Sequence, residues 1–438
     1  MSQILNPGAV STTSVETDDT DKIYNRLTWR ILPLLCVCYV AAYLDRVNIS
    51  FAKLQMQSEL AFSDAVYGLG AGLFFIGYML FEVPSNLILQ RMGARVWIAR
   101  IMITWGIISA ATMFVTTPMQ FYILRFALGV AEAGFYPGVM LYLTLWYPSY
   151  RRGKIMAFFL IAIPISGMIG SPISGWIMDF FDGMHDLSGW QWLFLLEALP
   201  SIFLGILVLA LLPSTIDSTK WLSSAEKERL KRVLEKDQVA NSQSSVREAF
   251  ASLKVWMLGI IDVCLMLAVY CLSFWLPTLI QESGVTSNSQ IGVLTGITSI
   301  LAIGALIING RSSDRMRERR WHTALPIFLA AISVGLSPFF SSNPLITVVL
   351  FSFANIGLMA ALPSFWCMPG TFLRGRAAAA GIAIIASMST LGGIGATVVI
   401  GALRDLTQSS QSGMWFVAAC LLIAGFMVLG FSKKIVNR

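Results

Sequence analysis

The chain has 438 residues, of which 56% are hydrophobic and 13% charged, with a mean hydropathy of +0.71. Soluble domains carry about 25% charged residues, so this composition excludes a soluble globular protein and points to a chain dissolved in lipid. The net charge of +7 would suit a nucleic-acid partner only if it were gathered on one soluble face, and its placement along the chain excludes that.

Residues 1–21 are rich in Ser, Thr and Asp and lack an apolar core, so they are no signal peptide and are expected to be a disordered cytoplasmic tail. Apolar stretches near the ~20 residues needed to cross a bilayer then recur at 30–52, 66–90, 97–117, 119–143, 152–178, 190–212, 255–281, 290–310, 323–341, 344–368, 376–402 and 413–432. Twelve helices are therefore expected, an all-α membrane protein. The hydrophilic segment 213–254 divides them into six-helix bundles at 22–212 and 255–432, and residues 433–438 form a second tail. Within the segment, Ser223 and Glu226 have capping-box spacing, which predicts a short cytoplasmic helix. With the N-terminus placed in the cytoplasm, 26 of the 31 Lys and Arg fall in the tails and even-numbered loops. This positive-inside pattern sets both termini in the cytoplasm and assigns the basic charge to topology, with no nucleic-acid partner. The six Cys lie within spans at no metal-ligand spacing and read as small buried hydrophobes, so no metal and no cofactor is expected.

Asp45-Arg46 interrupts the first span. Each charge near mid-bilayer costs roughly 2.5–3.5 kcal/mol on insertion scales, so the pair marks a functional site. In the fourth span Arg125 and Glu132 are seven apart, two turns along one face, with Gly129 between them. The halves echo each other. Phe135-Tyr136-Pro137-Gly138 resembles Phe365-Trp366 with Met368-Pro369-Gly370, and Asp179 ends the fifth span much as Asp405 ends the eleventh. Gly and Pro in the fifth and eleventh spans allow bending, which fits two halves rocking about a midplane site. No P-loop, dinucleotide fingerprint or nucleophile–base arrangement occurs, so the chain is not read as an enzyme.

Tyr43-Leu44-Asp45-Arg46-Val47-Asn48, Arg91-Met92-Gly93-Ala94-Arg95, and the run from Arg125 through Gly129, Glu132 and Gly134 to Pro137-Gly138 together resemble the major facilitator superfamily. Within it they are similar to the anion:cation symporters, the permeases for tartrate, phthalate, sugar acids and hydroxyphenylacetate. The resemblance covers roughly residues 22–432 and implies alternating access in a bacterial inner membrane by a monomer. It implies that Asp45 and Glu132 are proton-coupling acids, with Arg125 beside them, and that Arg46 binds a substrate carboxylate. A guanidinium suits that role because its planar fork makes two parallel hydrogen bonds. Tyr43, Tyr78, Asn48, Ser364 and Trp366 are further candidate substrate contacts, with Tyr270, Phe274 and Trp275 as possible cavity walls. Arg91, Gly93 and Arg95 in one half, with Gly310, Asp314 and Arg315 in the other, match the family's cytoplasmic latch. Asn86 and Gln90 depart from it in the first half. Glu197 and Asp262 are also intramembrane acids, for which packing or capping is expected.

The expected function is import of a small organic carboxylate with protons. Two alternatives remain at this point: a proton-driven exporter on the same fold, and a transporter-like nutrient sensor that does not translocate.

Overall fold

The computed structural model describes residues 8–240, 246–373 and 375–437. Among them the chain is helical throughout, as a lipid-dissolved backbone requires, because each peptide group must find its partner within its own segment. The first pass is α1 (Gly8–Val47) followed by α2 (Ile49–Glu59), which meet at Asn48. Helix α1 opens inside the tail expected to lack structure. Once a span has nucleated a helix, each added residue gains a hydrogen bond at little cost, and a tail without Gly or Pro after Gly8 offers no stop.

The second pass is α3 (Asp64–Met92), started by the Ser63 hydroxyl accepting from the Val66 N–H at 3.2 Å. The third is α4 (Ala94–Ala111). The fourth is broken into α5 (Pro118–Glu132) and α6 (Phe135–Thr144) around Gly134, whose φ of +85° only glycine adopts freely. The fifth is α7 (Ser149–Leu160) and α8 (Ala162–Phe180), and the sixth is α9 (Gly189–Leu211). Between the halves lie α10 (Ser224–Ala240) and α11 (Val246–Ala251). The second half comprises α12 (Leu253–Glu282), α13 (Asn288–Met316), α14 (Arg320–Leu336), α15 (Pro344–Cys367) with the short α16 (Pro369–Phe372), α17 (Gly375–Ile394) continued by α18 (Ile400–Thr407), and α19 (Ser410–Gly430). A short α20 (Lys433–Val436) follows. Eleven helices among the described residues are long and apolar enough to cross a membrane; in the remaining pass, 149–180, the apolar run 155–172 spans the junction of α7 and α8, and Gly175 of α8 packs on α13.

Helix α10 carries the capping box: Ser223 N–H donates to Glu226 Oε2 at 2.8 Å and Glu226 N–H to Ser223 Oγ at 3.3 Å. Ion pairs Arg26–Glu226 (3.2 Å) and Arg152–Asp237 (3.5 Å) hold it against the first half. This side of the molecule is called the loop face below, and the opposite one the far face.

The halves meet at mid-membrane and toward the far face, where glycines let backbones touch. A Cβ on Gly175 of α8 would lie 2.2 Å from the Asn288 carbonyl oxygen of α13, and one on Gly68 of α3 would lie 2.4 Å from that of Thr397. Thr397 belongs to a π-helical turn, Gly395–Val399, between α17 and α18. The eleventh pass thus uses its glycine run to bulge inward and meet α3.

Candidate functional site

The floor of the site is set by α1. Consecutive helical residues point about 100° apart, so neighbours in sequence face different helices. Asp45 and Arg46 follow that rule and do not pair with each other. Arg46 turns between the halves, and its Nη2 donates to Glu132 Oε1 on α5 in a short ion pair. Its Nη1 donates to the Tyr270 hydroxyl on α12 at 3.3 Å. The guanidinium carbon lies 5.2 Å from the Phe74 ring centre and 5.4 Å from that of Tyr78, an arrangement that stabilises a cation in a dry site. Glu132 is 1% exposed and Arg46 8%.

Arg125 sits two turns from Glu132 on α5 and is 1% exposed, with none of its three guanidinium nitrogens hydrogen-bonded among the described residues. Its guanidinium carbon lies 5.2 Å from the centre of the same Phe74 ring. One carboxylate therefore faces two buried guanidiniums. The site thus holds more positive than negative charge when all three groups are ionised.

Tyr43, one turn before Arg46 on the α1 strip facing the second half, contacts the Ser273 hydroxyl at 3.1 Å. Both line a cavity of about 590 Å3, open mouth included, whose wall also holds Ser171, Thr298, Ser299 and Asn355 and no charged side chain. Tyr43, Tyr78, Arg46, Glu132 and Arg125 are thus brought together as expected, with Tyr270.

Asp45 is placed elsewhere. It is 1% exposed and turned into the first half, where Trp105 Nε1 donates to Oδ2 at 2.9 Å, Ser109 Oγ to Oδ1 at 3.2 Å, and Ser201 Oγ to Oδ2. Asn48, expected as a substrate contact, follows Asp45 by one turn and lies beside Glu197 rather than Arg46. This corrects the expectation, and the reason is helical phase: residues 45 and 48 share a face that 46 does not. Ser364 is fully buried near the loop-face end of α15, and Trp366 packs on Phe365 at 5.4 Å. Among the described contacts neither reaches the Arg46–Glu132 pair, since the cavity wall on α15 is formed more than a turn earlier, at Asn355 and Met359.

The residues matched to a latch do not meet across the halves. Arg95 donates to the Leu209 carbonyl at the end of α9, Gly93 forms the turn between α3 and α4 with φ +86°, and Arg91 is exposed. Asp314 pairs with Arg319 at 2.7 Å, and Gly310 packs near Pro363. Arg315 is exposed.

A charged group at the far face was not singled out from sequence. Lys53, 2% exposed on α2, pairs with Asp64 of α3 at 2.7 Å and lies 4.1 Å from the Trp275 ring centre. Arg404 of α18 pairs with Asp64 at 3.1 Å and Glu282 of α12 at 2.5 Å. Beside it, Asp405 accepts from the Ala65 N–H at 3.0 Å, at the start of α3. The same contact recurs with the halves exchanged: Asp179 accepts from the Asn288 and Ser289 N–H groups at 3.2 and 2.7 Å, at the start of α13. The matched positions of Asp179 and Asp405 in the sequence are the one signal that pointed here.

Twelve helical passes in two bundles around a buried charged site define a membrane transporter rather than an enzyme. The family model of the Major Facilitator Superfamily matches residues 35–397, and the chain belongs to that superfamily. It is 52% identical over 431 residues to a Pseudomonas putida protein provisionally named metabolite transport protein NicT, covering 97% of this chain and 99% of the relative. It is 42% identical over 422 residues to an Agrobacterium vitis protein provisionally named tartrate transporter, covering 96% of each. An Acinetobacter baumannii quinolone resistance transporter is 41% identical over 403 residues, covering 91% of this chain and 92% of the relative. The crystal structure of a D-xylose–proton symporter superposes with a TM-score of 0.73 at 14% identity, covering 94% of this chain and 99% of that one.

Proposed function

We propose that the protein is a symporter that imports a small organic carboxylate with protons by alternating access. The observation that carries this reading is the buried Arg46–Glu132 pair between the halves, with Arg125 left without a partner two turns away. A carboxylate substrate and Glu132 compete for the same guanidinium fork. Protonation of Glu132 ends its ion pair and frees Arg46 to hold the substrate through two parallel hydrogen bonds. Arg125 supplies a second positive charge in a site that excludes water. Return of the proton toward the cytoplasm restores the internal pair and expels the anion. The positive-inside rule makes the loop face cytoplasmic, and the closed far face then corresponds to the inward-facing state of the cycle.

The relatives named for tartrate transport support a carboxylate substrate. The relative named for quinolone resistance favours a second reading, export, by the same exchange of Arg46 between substrate and Glu132. Energised vesicles challenged with tartrate, galactonate, hydroxyphenylacetate and phthalate test both. Substrate-dependent proton entry with accumulation inside, abolished by Arg46→Ala, is the expected result. Extrusion of the acid coupled to proton entry would replace import by export, and movement of acid without protons would overturn coupling.

A further inference from the structure

Glu197 of α9 is one of three buried acids, with Asp45 and Asp262 of α12, that the exchange at Arg46 leaves unused; Asp262 has no hydrogen-bond partner at either oxygen among the described residues and stands apart from the other two. Glu197 is 4% exposed, lies in the first half and shares a helix face with Ser201 four residues on. Such neighbours stand roughly 5–6 Å apart at Cβ. Ser201 donates to Asp45, so two carboxyl groups from α1 and α9 meet in one enclosure. The polar side chains recorded against them are Trp105 and Ser109 from α4, Ser174 from α8, Asn48 from α1 and Ser201 itself, and Glu132 of α5 acts on Asp45 through space without a hydrogen bond to it. Among the described residues no Lys, Arg or His pairs with either acid, and the nearest guanidinium, Arg46, is committed to Glu132.

Counting hydrogens narrows the choice of charge. Asp45 accepts three donors, one of them the unambiguous indole N–H of Trp105, which is how a buried carboxylate is held in place of water. Ser174 has one hydroxyl hydrogen and two partners: the Gly170 carbonyl at 2.9 Å and Glu197 Oε1 at 2.6 Å. That hydrogen can go to either partner, and one of the two arrangements gives it to Gly170, whose carbonyl only accepts. The contact to Glu197 is then satisfied by a carboxylic acid O–H donating to Ser174 Oγ. The remaining oxygen, Oε2, is buried without a hydrogen-bond partner, which an ionised carboxylate tolerates far less well than a neutral acid.

We infer that Asp45 and Glu197 form a two-carboxyl pair that holds one proton, carried by Glu197 in this conformation, and that this proton is part of transport coupling at a place distinct from Arg46–Glu132. The second clause rests on the proposed symport. The first does not. Passing the proton from the Glu197 O–H to an Asp45 oxygen moves the negative charge between α9 and α1, one turn from the break between α1 and α2 at Asn48.

Infrared spectra of the purified full-length protein near neutral pH test the pair directly. In an Asp262→Asn background, which removes the other buried acid without a hydrogen-bond partner, the carbonyl stretch of a protonated carboxylic acid is expected to be present, lost on adding Glu197→Gln and kept on adding Glu132→Gln. Ser174→Ala removes the acceptor of that proton and is expected to shift the band without abolishing it. A band unchanged in both Glu197→Gln and Ser174→Ala, or one lost in Asp45→Asn alone, overturns the assignment. In energised vesicles Glu197→Gln is expected to keep substrate counterflow but take up fewer protons per substrate, with a flattened pH profile, and Glu197→Asp to restore both. An unchanged ratio and profile in Glu197→Gln overturns the coupling role. Substrate uptake without proton entry in the unmodified protein would instead sink the symport reading and leave the infrared result standing.

Discussion

Arg46 gains its position from the one residue of helical phase that separates it from Asp45. Turned between the halves, it faces Glu132, Tyr270 and two aromatic rings, all within reach of a bound anion. Replacing it with Lys keeps the charge but removes the planar fork. Arg46→Lys is expected to raise the substrate KM about tenfold, the equivalent of ~1.4 kcal/mol, with a smaller effect on the maximal rate; uptake kinetics of the two forms check this. Glu132→Gln fixes the neutral form of the competitor. Counterflow of labelled substrate should persist while accumulation against a gradient is lost, and intact accumulation would rule Glu132 out as a coupling acid. The sequence made Arg46, Glu132 and Arg125 visible because charges in an apolar run are conspicuous. It did not show that Asp45 points away, although adjacent residues on a helix cannot face one partner. Phe74, whose ring centre is 5.2 Å from both guanidinium carbons, was hidden because an aromatic residue in a membrane helix has nothing to distinguish it.

At the scale of elements, the far face is sealed by helix starts capped from the other half. Losing a cap costs about 1 kcal/mol, so Asp179→Ala should shift the balance toward opening at the far face several-fold. Labelling of a cysteine introduced at Ser289 would report it as faster modification. Gly175→Val is expected to do more, since its Cβ would stand 2.2 Å from a backbone oxygen that has no freedom to move. Helix α10 responds to pH instead. The Ser223 N–H above all, with the Ser223 hydroxyl and Arg26, holds the Glu226 carboxyl below its usual range against the opposing effect of burial. A lowered folded value gives stability that is present above the ordinary glutamate range and lost as pH falls through the folded value. Protection factors for hydrogen exchange across 224–235, which remove the intrinsic pH dependence of amide exchange, should therefore be constant from neutral pH down to about 5 and fall only in stronger acid. The capping box was legible because its partners are three residues apart. The Asp64–Arg404 pair was not, because its partners are 340 residues apart and nothing local links them.

For the whole molecule, hydropathy alone fixes the number of passes, since length and apolarity are what the bilayer demands. What hydropathy leaves open is how the halves touch. The fifth pass turns small residues such as Gly175 to α13 rather than to lipid, a contact that its apolar run 155–172 does not announce. The two acid-capped starts have a further consequence. Asp179 clasps the second half and Asp405 clasps the first, each by accepting from the N–H of the second residue of a helix in the opposite half, Ser289 of α13 and Ala65 of α3. Neither half can tilt away at one clasp while the other stays shut, for a rigid body turning about the midplane lifts both. Opening is then a single cooperative event with two recorded distances across the far face, one shut and one open, and single-molecule traces should step between them without pausing halfway.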